Sequence, residues 1–73
     1  MTFAADVLAA CAQIGNATAK TNVDAAADTF EAAIKAEVVT RVGRTETDAA
    51  YVAIQAAIVE ICQLVASELA DST

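Results

Sequence analysis

Apolar residues recur along this chain at three- and four-residue intervals, the period of a helix with one buried face. The first such stretch carries Phe3, Val7, Cys11 and Ile14, with Leu8 beside them. It predicts a helix over about 3–14, with Thr2 as N-cap and Asp6 near the positive end of the helix dipole. Gly15-Asn16 reads as the stop signal, because either residue tolerates the left-handed conformation that closes a helix. Ala17 to Thr21 reads as a connector.

The second stretch places Val23, Ala27, Phe30, Ile34, Val38 and Val42 on one face. It predicts a helix over about 22–42, opened by a capping-box pattern of Thr21 with Asp24 and closed by Gly43. Glu31 and Lys35 are four apart, as are Glu37 and Arg41, a spacing that supports a helix by pairing charges. The third stretch repeats the opening signal with Thr45 and Asp48 and predicts a helix over about 46–70. Its main face is Tyr51, Ile54, Ile58, Ile61, Val65 and Leu69, with Ala57 and Leu64 alongside. Residues 71–73 are expected to fray. An offset of 24 residues aligns Thr21 with Thr45, Asp24 with Asp48 and Ile34 with Ile58, a faint sign of an internal repeat.

The expected fold is therefore all-α, a single domain over residues 1–73. The link between the second and third helices is short, which makes them antiparallel neighbours in a long hairpin. Each arm is roughly 30 Å long at 1.5 Å per residue. The first helix is shorter and covers only part of the hairpin.

That leaves apolar surface over. On a helical wheel Val52 and Val59 of the third helix fall about a quarter turn from its main face, with Cys62 between. Its clearly polar strip is only Glu60, Gln63 and Ser67. An exposed aliphatic stripe of that extent is uncommon on a monomer and marks an interface. Val52, Val59, Cys62 and Leu64 are the expected interface residues. The expected partner is a second copy in a symmetric homo-oligomer that completes the fold.

Composition strengthens that expectation. Twenty of the 73 residues are alanine, which favours helix but releases little apolar area on burial. A domain this small is marginal without added stabilisation. The chain has no His and no Pro, and two Cys. Its net charge of −6 opposes direct binding of nucleic acid, which needs a basic face to displace counterions. The same charge disfavours anionic membrane surfaces.

Ala49 to Ala70 is long enough to span a bilayer. Glu60 would then lie near the bilayer centre, with Gln55, Gln63, Ser67 and Glu68 adding to the cost. No transmembrane segment is expected. Leu8 to Cys11 has the form of a lipobox, but no Lys or Arg precedes it and Asp6 interrupts the apolar run. The expectation is a soluble chain without a signal peptide, in the cytoplasm or in a particle assembled there.

Candidate chemistry is sparse. Cys11 and Cys62 both sit on apolar faces and read as buried structural thiols. Joining them would need Cα atoms within about 7 Å. Neither has a His or a basic neighbour in sequence to activate it. Asp24, Asp28 and Glu31 share one side of the second helix and read as a solvated face. With Glu46 and Asp48 they form an alternative acidic surface for a basic protein partner. Arg41 and Arg44 near the hairpin turn are candidate contacts for a small anion, or else simply compensate the helix dipole. No catalytic, cofactor-binding or metal-ligating set is expected. The function these patterns predict is a non-enzymatic assembly module that forms a homo-oligomer or a multi-subunit particle through the third helix; its size and type, rather than any residue, suit a viral structural component. The alternative is an acidic inhibitor or adaptor, such as a virus-encoded anti-defence protein. A third is a small-anion binder at an oligomer groove.

Overall fold

A computed structural model describes residues 2–70 as three helices with no strand among them. Helix α1 spans Phe3–Cys11, α2 spans Ala17–Lys35 and α3 spans Ala49–Leu69. Between α2 and the turn, Ala36–Arg41 continues as a wider π-helical segment. The molecule is a rod of 43 × 17 × 17 Å. The expected fraying of 71–73 lies outside the described residues.

Thr2 opens α1 as expected, its hydroxyl accepting from the Ala5 N–H at 3.2 Å. The helix is shorter than its apolar pattern, ending at Cys11, and Ile14 is buried from the loop that follows. Gly15-Asn16 is not a left-handed stop, since Gly43 alone among the described residues has positive φ. Asn16 instead starts α2, its side-chain oxygen accepting from the Ala19 N–H at 2.9 Å. Asn is among the best N-caps, and here it draws Ala17 to Thr21 into the helix. Thr21 is no cap: its hydroxyl donates back to the Ala17 carbonyl at 3.1 Å.

Asp48 likewise displaces Thr45 as the cap of α3, accepting from the Ala50 N–H at 2.9 Å. Thr45 sits in the turn, where its hydroxyl pairs with that of Thr47. The two Thr-Asp signals thus mark different structures, a mid-helix turn and a loop. The repeat suggested by the 24-residue offset has no structural counterpart.

The π-helical segment coincides with a run of β-branched residues, Val38, Val39 and Thr40. Their stiff side chains crowd an α-helical turn, and a wider turn relieves the crowding. The Val42 N–H reaches back five residues to the Glu37 carbonyl at 3.1 Å. Gly43, at φ +85°, then closes the helix where a side chain would be strained.

α1 runs alongside α3 and antiparallel to α2. Its Val7, Ala10 and Cys11 pack with Ile14, with Ala27 of α2 and with Ile58, Cys62 and Ala66 of α3. Much of this core is small, and small residues let helix axes approach closely. α3 therefore turns inward a stripe of Tyr51, Ile58, Cys62 and Ala66. This corrects the expected face: Ile61 and Val65 are left outside, at 53% and 36% exposure. Phe30 of α2 and Leu8 of α1 are exposed as well.

Beyond the reach of α1 the hairpin continues as two helices. Tyr51 is fully buried there yet stands apart from the apolar cluster. Its hydroxyl donates to Glu31 on α2, and Gln55 Nε2 reaches the same carboxylate oxygen at 3.4 Å. Lys35, expected to pair with Glu31 along the helix, instead reaches across to Glu46 at 2.5 Å. Glu37 and Arg41 do pair as their spacing predicts, at 2.5 Å.

Candidate functional site

The surplus apolar surface divides between two flanks of α3. On the flank beside α1, Phe3, Asp6, Val52, Gln55, Val59 and Glu60 line an open groove of about 480 Å³. Its floor mixes aliphatic groups with two carboxylates and with Gln63. On the opposite flank, a groove of about 300 Å³ runs between α2 and α3. It is lined by Val23, Ala26, Ala27 and Phe30 from α2, and by Ile58, Ile61, Cys62 and Val65 from α3. No charged side chain lines it.

The second groove follows directly from the way α3 is rotated. Packing through the Cys62–Ala66 stripe leaves Ile61 and Val65 at the rim facing α2. Opposite them, Phe30 stands at 50% exposure instead of filling the core. Leu64 of α3 is also exposed, at 64%, but does not line this groove. Large side chains on the rims and small ones on the floor give this face both knobs and a hole.

The residues expected at an interface therefore separate. Val52 is exposed on the α1 flank, and Val59 is half-buried against the core. Cys62 is 4% exposed, a core residue with little area to offer a partner. Cys62 lines the charge-free groove from its floor, and Leu64 is exposed on α3 outside the residues that line either groove. Phe30, Ile61 and Val65, which their spacing places on the core faces, stand outside the core. The signal that could have exposed them is the alanine content itself, since a small-residue stripe competes with an aliphatic one for the inside position.

The expected acidic surface is also divided. Glu31 is held by Tyr51 and Gln55, Glu46 by Lys35, and Asp48 by the Ala50 N–H and by Arg44. Asp24 is half-buried and Asp28 exposed, one helical turn apart on α2. The two arginines are likewise engaged, Arg41 with Glu37 and Arg44 with Asp48 at 3.1 Å. Each already has a carboxylate in the place a small anion would take. Among the described residues no three His, Cys, Asp or Glu side chains gather as a metal-holding group.

Electrostatics mark the closed parts of the structure. Burial, then the Glu31 carboxylate, push the Tyr51 hydroxyl up to about 12. Burial likewise pushes both thiols above their ordinary value. The Ala50 N–H, followed by Arg44, holds the Asp48 carboxyl below the usual range.

By length and composition α3 is also apolar enough to cross a membrane, with 22% of the most apolar window buried in this fold. No protein-family model, curated protein or solved structure matches this chain.

Proposed function

We propose that this protein is a non-enzymatic association module that packs against a second copy of itself through the α2–α3 groove. The observation that carries the reading is the charge-free groove, with Phe30, Ile61 and Val65 standing exposed around a floor of small residues. A two-fold interface brings the same patch of both subunits together, so the patch must be self-complementary. Here the knobs lie beside the hole, and a half-turn places the Phe30 rim of one copy in the groove of the other. The chain's small size adds a motive. The largest fully buried side chains are only Tyr51, Val7 and Cys11. Covering Phe30, Ile61 and Val65 removes apolar area that a core of this size leaves in water.

Charge sets the expected conditions. Each copy carries −6, so two copies repel, and salt screens that repulsion without weakening apolar contact. Association should therefore hold or tighten as salt rises. The test is absolute mass by light scattering after gel filtration, at low and high salt. A defined oligomer at high salt, converted to monomer by Ile61→Glu and by Phe30→Glu with helix content retained, is the expected result. A monomer at high protein concentration in both salts overturns the reading. In that case flotation with neutral lipid vesicles asks whether α3 inserts in a bilayer instead.

A further inference from the structure

Cys11 of α1 and Cys62 of α3 are free, buried and members of one packed cluster, 51 positions apart in sequence. Both pack in the same buried cluster where α1 docks on α3, close enough for each to perturb the other's ionisation. The surrounding elements add Lys20, Asp24 and Asp28 of α2 to their electrostatic environment. α1 is nine residues long, too short to persist as a helix once undocked. Whenever it leaves the hairpin, both thiols meet solvent together.

We propose that Cys11 and Cys62 form a redox latch, which a low-molecular-weight disulfide closes by joining α1 covalently to α3. In the first step the Cys11 thiolate attacks one sulfur of the reagent, whose S–S bond breaks and releases one thiol. In the second, the Cys62 thiolate attacks the mixed disulfide at Cys11 and releases the second thiol. The protein gives up two electrons and two protons and gains one S–S bond, and the reagent becomes two thiols. Burial keeps both thiols protonated while α1 is docked, so closure proceeds through brief undocking. The closed latch shuts a loop that spans most of the chain and removes freedom from the unfolded state. The latch does not require self-association, because both sulfurs belong to one chain, although Cys62 also lines the floor of the α2–α3 groove.

The experiment treats the dilute full-length chain with oxidised glutathione in mildly alkaline buffer, with and without a low concentration of urea. The expected product has no free thiols, a mass lower by two hydrogens, and a non-reducing peptide map linking Cys11 to Cys62 within one chain. Its melting temperature should rise by about 10 °C or more, reversibly with dithiothreitol. Urea should speed the reaction several-fold. Cys62→Ala should stop at a glutathione adduct on Cys11. Persistent free thiols, a stable glutathione adduct on the wild-type chain, covalent dimers, or a disulfide that leaves the melting temperature unchanged would each overturn the proposal.

Discussion

The two ends of the rod are held together by different physics. At the α1 end, three helices meet through Val7, Cys11, Ile14, Ala27, Ile58, Cys62 and Ala66, with no buried polar group among them. At the turn end, two helices are joined through one buried phenol, Tyr51, and the carboxylate of Glu31. The first end gains stability from apolar area removed from water, which is non-directional and insensitive to pH. The second depends on a specific donor meeting a specific acceptor. A two-helix end has no third element to enclose it, so a large side chain with a polar tip spans the gap.

The largest expected effect comes from the apolar end. Ile58→Ala removes a large aliphatic group from the point where α1 faces both arms of the hairpin. A buried change of this kind costs about 2–5 kcal/mol. A domain of this size has little more than that to lose. Urea denaturation should show either a transition shifted far toward zero denaturant or no folded baseline. A loss below about 1 kcal/mol would mean that the three-helix end is not the stability centre.

Next comes the phenol. Tyr51→Phe keeps the ring but removes the donor to Glu31, leaving that half-buried carboxylate only the long contact from Gln55. The expected loss is about 1–3 kcal/mol, smaller than for Ile58→Ala. It should carry a pH signature of its own, distinct from that of the two raised thiols at the apolar end. Tyr51 titrates near 12 in the fold, above its ordinary value near 10. The neutral phenol is thus favoured by folding. That contribution is complete below about pH 10 and is lost as pH rises through about 12. Lys35, raised by its bond to Glu46, loses its contribution in the same direction. Subtracting the Tyr51→Phe melting curve from the wild-type curve across this window isolates the phenol. Equal slopes for both chains would break the comparison.

The sequence made some of this visible and hid the rest for identifiable reasons. Three helices, the hairpin, the Thr2 cap and the Gly43 stop were all legible, because caps and glycine act locally. The start of α2 is hidden in the sequence because Thr21 and Asn16 are both good caps. Only the paired N–H distinguishes them, and Asn16 has it. The rotation of α3 was hidden by alanine, which suits inside and outside alike: Ala66 is fully buried while Ala53 and Ala56 are exposed. Periodicity then pointed to the large aliphatics, whereas close approach selected Cys62 and Ala66. The Tyr51–Glu31 bond joins residues 20 apart across a hairpin, and no local pattern announces such a pair. For the candidate surface, the surplus itself was legible. Its location was not, because that depended on the same rotation.

The caps sharpen the comparison at a smaller scale. Asn16 starts α2 at the three-helix end and Asp48 starts α3 at the turn end, each accepting from a backbone N–H at 2.9 Å. Asn16→Ala should cost about 0.5–2 kcal/mol at any pH, because an amide does not titrate in the working range. Asp48 differs in sign and window. Its carboxyl is held below the ordinary value by the Ala50 N–H and then Arg44, so its contribution is complete above about pH 4. That contribution disappears as pH falls through the lowered value. Asp48→Ala should therefore destabilise at neutral pH and flatten the acid limb of the stability curve, while Asn16→Ala shifts the whole curve. Denaturant midpoints measured from pH 2 to 7, on the scale of the carboxyl values, separate the two.

The smallest effect belongs to the ion pairs at the turn. Lys35 and Glu46 meet at 2.5 Å, but their side chains are 43% and 61% exposed. Water already solvates both charges, and ordering two long side chains offsets much of the attraction. Lys35→Ala should leave the urea midpoint close to wild type, and the small difference should vanish in high salt as the pair is screened. Tyr51→Phe should keep its deficit in the same salt, because a buried hydrogen bond is screened far less than an exposed pair. If Lys35→Ala proved as costly as Tyr51→Phe, and both recovered with salt, the turn end would be closed by surface charge. The buried phenol would then be a passenger, and the contrast between the two ends would reduce to apolar contact against ion pairing.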